Sequence, residues 1–154
     1  EVRVFESMAC VLYIAKAHGK ADGVDLSPAN LKEEGEALRW AFWCVTELEK
    51  DALTVLMHRM AMPEAERKPD LALAAEGRLR PALQVLEHAL ARQHAQGQSH
   101  LAAARFTVAD LCVASVAMWI RPSTALMSEF PITAAWLKNC LDRPAHQTAR
   151  KLGR

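Results

Sequence analysis

The stretch "RFTVADLCVASVAMWIRP" constrains the fold more than any other part of the chain. From Val108 to Ile120 its only charge is Asp110. A helix that is apolar on every side has to be surrounded, because a solvent-facing side would leave apolar surface in water. The start of this helix is also written in the sequence. Thr107 and Asp110 have the spacing of a capping box, in which each side chain satisfies a free backbone N–H near the other. Phe106 and Leu111 are spaced for the hydrophobic staple that accompanies it. A central helix with so firm a beginning predicts neighbours packed all round it.

The neighbours are predicted to be helices, since β-branched alternation is nearly absent and Ala, Leu, Glu, Arg and Met abound. The first runs from about Glu6 to Ala17, with Gly19 as its stop. The preceding "EVRVF" reads as the end of a strand that alone has nothing to pair with. Further on, Ser27 is placed to cap a helix and Pro28 to occupy its first position, where no N–H is needed. Leu31, Leu38, Phe42, Val45, Leu48, Ala52, Val55 and Leu56 then recur with helical period, predicting one long helix over 28–60 with Gly35 as its bend. "PEAERKP" is a polar connection. Asp70 is predicted to cap a second long helix that Pro81 kinks or restarts. "HAQGQSHLAAAR" reads as a loop, and "FPITAAWLKNCLDRP" as a last helix with a short continuation after Pro144. The fold class is therefore all-α, a bundle of five or six helices around the segment 108–120.

Composition removes several function classes. With 154 residues, 51% hydrophobic and 24% charged, the chain is expected to form one packed domain. Lys plus Arg (19) nearly balances Asp plus Glu (18), so no general pull toward nucleic acid or anionic membrane is expected. No apolar run approaches the roughly 18 residues of a membrane span, and the first residues lack the order of a signal peptide. Cys10, Cys44, Cys112 and Cys140 each lie among apolar residues, which reads as reduced thiols in a cytoplasmic protein. No CxxC or His/Cys pair has ligand spacing, so no metal site is expected, and the six histidines read as surface residues.

Catalytic signatures are missing too. GxSxG, P-loop, Rossmann and HExxH patterns are all absent. Glu47 and Asp51 read as a solvated helix face rather than an acid–base pair. Ser7 and Ser115 have no neighbouring histidine to make either a nucleophile. Trp40, Trp43 and Trp119 read as packing residues.

One stretch remains odd. "FESMACVLYIAKAHG" opens an apolar helix with an acid and a hydroxyl, Glu6 and Ser7. On the residues alone, either is a plain helix cap. Taken in order with "RWAFW", "LRPALQVLEHAL", "FTVADLCVASVAMW" and "FPITAAWLKNCLDRPAHQTA", the chain resembles cytosolic glutathione transferases of bacterial type over nearly its whole length. The resemblance implies that residues 1–22 are the last helix of a thioredoxin-like domain and residues 23–154 the all-helical C-terminal domain. It implies that Glu6 takes the α-ammonium of glutathione and that Ser7 hydrogen-bonds its α-carboxylate. That role suits a helix N-terminus, whose unpaired N–H groups and partial positive charge favour a carboxylate.

The resemblance further implies that the helical domain holds a hydrophobic electrophile. "VTELEKDALT" matches a stretch where beta-class enzymes carry a His and then a Lys facing the sulfur; here Glu49 and Lys50 stand there. The His-to-Glu change speaks against that mechanism, since a carboxylate raises a thiol pKa. Trp119 matches a Trp of the same cavity, so Lys50, Trp119 and Glu49 are the pocket candidates. No residue matches the family's activating Tyr, Ser or Cys, so none is assigned as catalytic, and the 154 residues are expected to be an inactive portion of a longer, dimeric transferase with glutathione as cosubstrate. The alternative is a non-enzymatic assembly module built on the same helical domain.

Overall fold

A computed structural model describes residues 2–21 and 24–152. Residues 2–5 are irregular, and helix α1 spans Ser7–His18. It stops at Gly19, whose N–H returns to the Ala15 carbonyl at 2.8 Å. A Cβ at Gly19 would stand 2.1 Å from that carbonyl oxygen, so only glycine fits the turn. A minimal antiparallel ladder follows, β1 (Lys20–Ala21) on β2 (Val24–Asp25), pairing Lys20 with Asp25. The domain boundary expected at residues 22–23 falls outside the described residues.

The second helix starts later than Pro28. Asn30 is the N-cap of α2 (Leu31–Trp43), its side chain accepting from the Glu33 N–H at 3.0 Å. Ser27 is occupied elsewhere: its hydroxyl donates to the Ala15 carbonyl at 2.6 Å and ties this loop to the end of α1. The expected single helix over 28–60 is interrupted by two π turns. The order is α2, a π turn at Cys44–Leu48, α3 (Glu49–Leu56) and a π turn at Met57–Ala61. The irregularities fall at these wider turns and not at Gly35, which lies inside α2 with open space around it.

Helix α4 (Pro69–Ala95) begins with Pro69 at its first turn and Lys68 as N-cap, so Asp70 lies within the helix and does not cap it. Pro81 neither breaks nor restarts α4, which runs 27 residues through it. The helix ends in a Schellman turn: Gly97 has φ 71°, its N–H meets the His94 carbonyl at 2.9 Å, and the Gln98 N–H meets the Gln93 carbonyl at 2.9 Å. After a loop comes α5 (Val108–Ala117), with eight of its ten residues buried. A 3₁₀ turn (Met118–Ile120), α6 (Thr124–Ser128), α7 (Pro131–Leu141) and α8 (Pro144–Leu152) follow.

The all-α bundle expected from the sequence is what forms, with α1, α2, α3 and α7 packed on α5, and α4 closing against α3 and α7. The helices outnumber five or six because the long segment divides at its π turns and because α6 and α8 are short. The capping box forms as read. Of the expected staple pair, Leu111 faces outward at 37% exposure, while Phe106 packs against His100 and under the Arg143 guanidinium. Leu48, Leu79, Leu83, Leu86, Leu90 and Ile120 are fully buried in one continuous core. Glu87 of α4 caps α7 from outside, accepting from the Ile132 and Thr133 N–H groups at 3.0 and 2.7 Å.

Arg105 locks the start of α2 against the loop before α5. Its guanidinium donates to both Glu33 carboxylate oxygens at 3.1 and 2.9 Å, to the Ser27 carbonyl at 2.7 Å and to the Asp25 carbonyl at 3.2 Å. The Arg105 hydrogen bonds hold the Glu33 carboxyl below its usual range, aided by the Ala29 N–H and opposed by burial. A carboxyl with a depressed folded pKa adds stability above its unfolded value and loses it as pH falls through the folded one. Arg105→Ala is therefore expected to cost about 1–2 kcal/mol at pH 7, discounted for partial exposure. Urea midpoints measured from pH 7 to pH 3 should show the gap between variant and parent closing below about pH 4.5.

Candidate functional site

The first turn of α1 is unusual in its backbone. Glu6, its N-cap, has φ 72° and ψ 125°, the one positive φ at a non-glycine residue among the described residues. Such a conformation costs about 1–3 kcal/mol and persists only where its surroundings impose it. No side chain caps this end. Neither Glu6 nor Ser7 thus acts as the plain cap that the residues alone allow, and the first N–H groups of α1 have no side-chain acceptor among the described residues. Both residues are exposed.

That turn opens onto a cleft of about 420 Å³. Glu6, Ser7, Met8, Ala9 and Leu12 form the wall on the α1 side. Leu38, Ala41, Phe42, Val45 and Glu49 form the opposite wall along α2, the first π turn and the first residue of α3. The spacing explains the division of labour on this rod. Ala37, Trp40, Cys44, Leu48, Ala52 and Val55 are buried and face the core. The row beside it, Leu38, Phe42, Val45 and Glu49, turns toward the cleft, which leaves Phe42 66% exposed. Chemically the cleft offers an apolar body, a hydroxyl, open helix N–H groups and two carboxylates, those of Glu6 and Glu49.

The structure brings Glu6, Ser7 and Glu49 together around this cleft. Lys50 is exposed and stands outside the lining. Trp119 is half-buried against the core, on a 3₁₀ turn that packs on α3. Sequence reasoning missed Leu38, Phe42 and Val45 because they belong to the periodic stripe, which predicts a helix and does not say what covers its apolar side. A wider hollow of about 630 Å³ between α6, α7 and α8 shares no residue with the cleft. Asp51, expected on a solvated face, accepts from Arg78 at 3.0 and 2.7 Å.

The buried thiols are poor nucleophiles. Burial pushes Cys44 up to about 12, with Cys112 and Glu49 adding to it, and pushes Cys112 to about 11. Burial first, then Asp110, raises Cys140 to about 12 against the opposing Arg143. A thiol held protonated neither attacks nor ligates. Among the described residues no group of His, Cys, Asp and Glu is placed to hold a metal ion, and no helix is long and apolar enough to cross a membrane.

Known proteins share this architecture. The family model "Glutathione S-transferase, C-terminal domain" matches residues 47–144, well over half of the chain. Among solved structures, glutathione S-transferase III in apo form is 26% identical, with a TM-score of 0.77 over 94% of this chain and 66% of its own. Glutathione transferase F7 from Populus trichocarpa is 20% identical, with a TM-score of 0.78 over 98% of this chain and 70% of its own. Glutathione transferase URE2P6 from Phanerochaete chrysosporium, solved in complex with oxidized glutathione, is 24% identical, with a TM-score of 0.73 over 96% and 66%. The chain spans about two thirds of the length of these structures. No curated protein matches it by sequence.

Proposed function

Because the chain belongs to the family of glutathione S-transferase C-terminal domains, we propose that it serves as the helical part of a glutathione transferase. In this reading the first turn of α1 receives the γ-glutamyl end of glutathione. Ser7 and the open N–H groups take the α-carboxylate, and Glu6 takes the α-ammonium. The apolar wall of Leu38, Phe42 and Val45 receives a hydrophobic electrophile, which reacts with the glutathione sulfur. The observation that carries the reading is the open cleft joining Glu6 and Ser7 to that wall. Thiol activation is assigned to none of the described residues. Lys50 and Trp119 lie outside the cleft lining, so the electrophile pocket is proposed here without them.

The dimer expected from the resemblance finds support in exposed Leu53, Met57, Met60, Leu71 and Leu73 on α3, the second π turn and the start of α4. A cytoplasmic, detoxifying role in the manner of bacterial-type members is part of the same proposal. Calorimetric titration of the full-length protein tests the core of it. Glutathione should bind saturably, S-hexylglutathione more tightly because its chain covers the apolar wall, and cysteinylglycine, which lacks the γ-glutamyl group, not measurably. Equal binding of cysteinylglycine and glutathione would remove α1 from the site.

A further inference from the structure

We propose that Glu49 selects the electrophile, favouring apolar molecules that carry a positive charge or a hydrogen-bond donor and rejecting anionic ones. This rests on the transferase reading above and adds a substrate class to it. Glu49 is the last residue along the apolar wall and is half-buried. It makes no hydrogen bond or ion pair with another described residue. The cations of the surrounding helices are engaged elsewhere: Lys16 with Glu34, Arg39 with Glu36 and the Trp40 ring, Arg78 with Asp51. Lys50 follows directly in sequence, but adjacent helical residues do not face each other, and it lies outside the lining.

No described cation lines the cleft, so its two carboxylates set its field. Glu6 is assigned to the glutathione ammonium. Glu49 is left over, beside apolar side chains that exclude water and strengthen any charge interaction made there. A second anion placed against it is repelled and loses its hydration. A cation or N–H donor there meets an unclaimed acceptor. In substitution at a chloroarene, the glutathione sulfur gives an electron pair to the carbon bearing chlorine. The carbon–chlorine pair leaves as chloride, and the thiol proton passes to solvent. Glu49 takes no part in these bonds and contacts the ring substituent.

Three chloronitrobenzenes of one shape test this, bearing a trimethylammonium, a carboxamide or a carboxylate group para to chlorine. Comparing Glu49→Gln with the parent full-length protein for each compound cancels intrinsic reactivity. Glu49→Gln should lower kcat/KM for the cation about tenfold and raise it for the carboxylate about tenfold, with the amide changing less than about threefold. Glutathione affinity should be unaltered, which separates a failure at Glu49 from one at Glu6 and Ser7. Equal changes for all three compounds, or none, would overturn the selector role. Should no compound be conjugated, the transferase reading fails, and equilibrium binding of the same compounds, followed by tryptophan fluorescence, decides the point. Tighter binding of the cation to the parent than to Glu49→Gln, with the reverse for the carboxylate, supports the selector; indistinguishable binding ends it.

Discussion

Asp110→Ala is expected to destabilise the domain by about 4 kcal/mol, more than any other single truncation of a polar side chain in it. Asp110 is fully buried at the third position of α5, and its two oxygens serve three separate segments. Oδ1 accepts from the Leu101 N–H at 3.0 Å and from the Trp136 indole N–H at 3.1 Å. Oδ2 accepts from the Thr107 N–H at 3.0 Å and the Thr107 hydroxyl at 3.4 Å. Alanine leaves all of these donors buried without an acceptor, at about 1–3 kcal/mol each before relaxation. It also removes the negative charge that suits the first turn of a helix. Because the donors share one acceptor their losses do not add, which sets the total nearer 4 than 8 kcal/mol.

The ranking is diagnostic. Thr107→Ala removes one cap bond, to the Ala109 N–H at 3.3 Å, and should cost about 1 kcal/mol. Asp110→Asn keeps one acceptor oxygen but turns an NH₂ group toward donors, and should fall between the two. Against a total stability of about 5–15 kcal/mol, Asp110→Ala leaves little reserve. Urea midpoints at an unchanged slope measure the series. An Asp110→Ala variant within 1 kcal/mol of the parent would show that the carboxylate does not hold the three segments together.

The same residue shows what a sequence discloses. The Thr107–Asp110 box is local, a spacing of three, and was legible. The Trp136 indole lies 26 positions away, and no local pattern announces that its N–H ends on Asp110. Ser27 and Asn30 are rival caps three residues apart. The choice between them rests on the Ala15 carbonyl claiming the Ser27 hydroxyl, a tertiary fact. The π turns at Cys44–Leu48 and Met57–Ala61 left no mark because the apolar stripe passes through the first without changing residue type. The stripe itself merged two rows, one buried at Leu48, Ala52 and Val55, the other lining the cleft at Leu38, Phe42 and Val45. Periodicity reports apolar faces, and it does not say whether protein or ligand covers them. Glu6 and Ser7 are site candidates through the resemblance; their local chemistry alone favours a cap.

At those two positions stability and binding are expected to move in opposite directions. Glu6 adopts φ 72°, where a side chain is strained and glycine is not. Glu6→Gly should therefore raise the stability of the ligand-free protein by about 1 kcal/mol, the relief of strain exceeding the added entropy of the unfolded chain. The same substitution removes the carboxylate proposed to hold the glutathione ammonium, and a charge-assisted hydrogen bond is worth about 1.5–3 kcal/mol, or about 10–150-fold in affinity. Ser7→Ala deletes a hydroxyl donor while keeping the backbone N–H, so its loss should lie near the lower end of that range with stability hardly altered. The double variant Glu6→Ala with Ser7→Ala should lose more than either single and less than the product of the two, since both groups grip one end of the ligand. Titration of glutathione and urea unfolding of the same samples separate the two effects. A Glu6→Gly protein that binds glutathione as the parent does would mean that the strained turn serves some other end, whatever its stability.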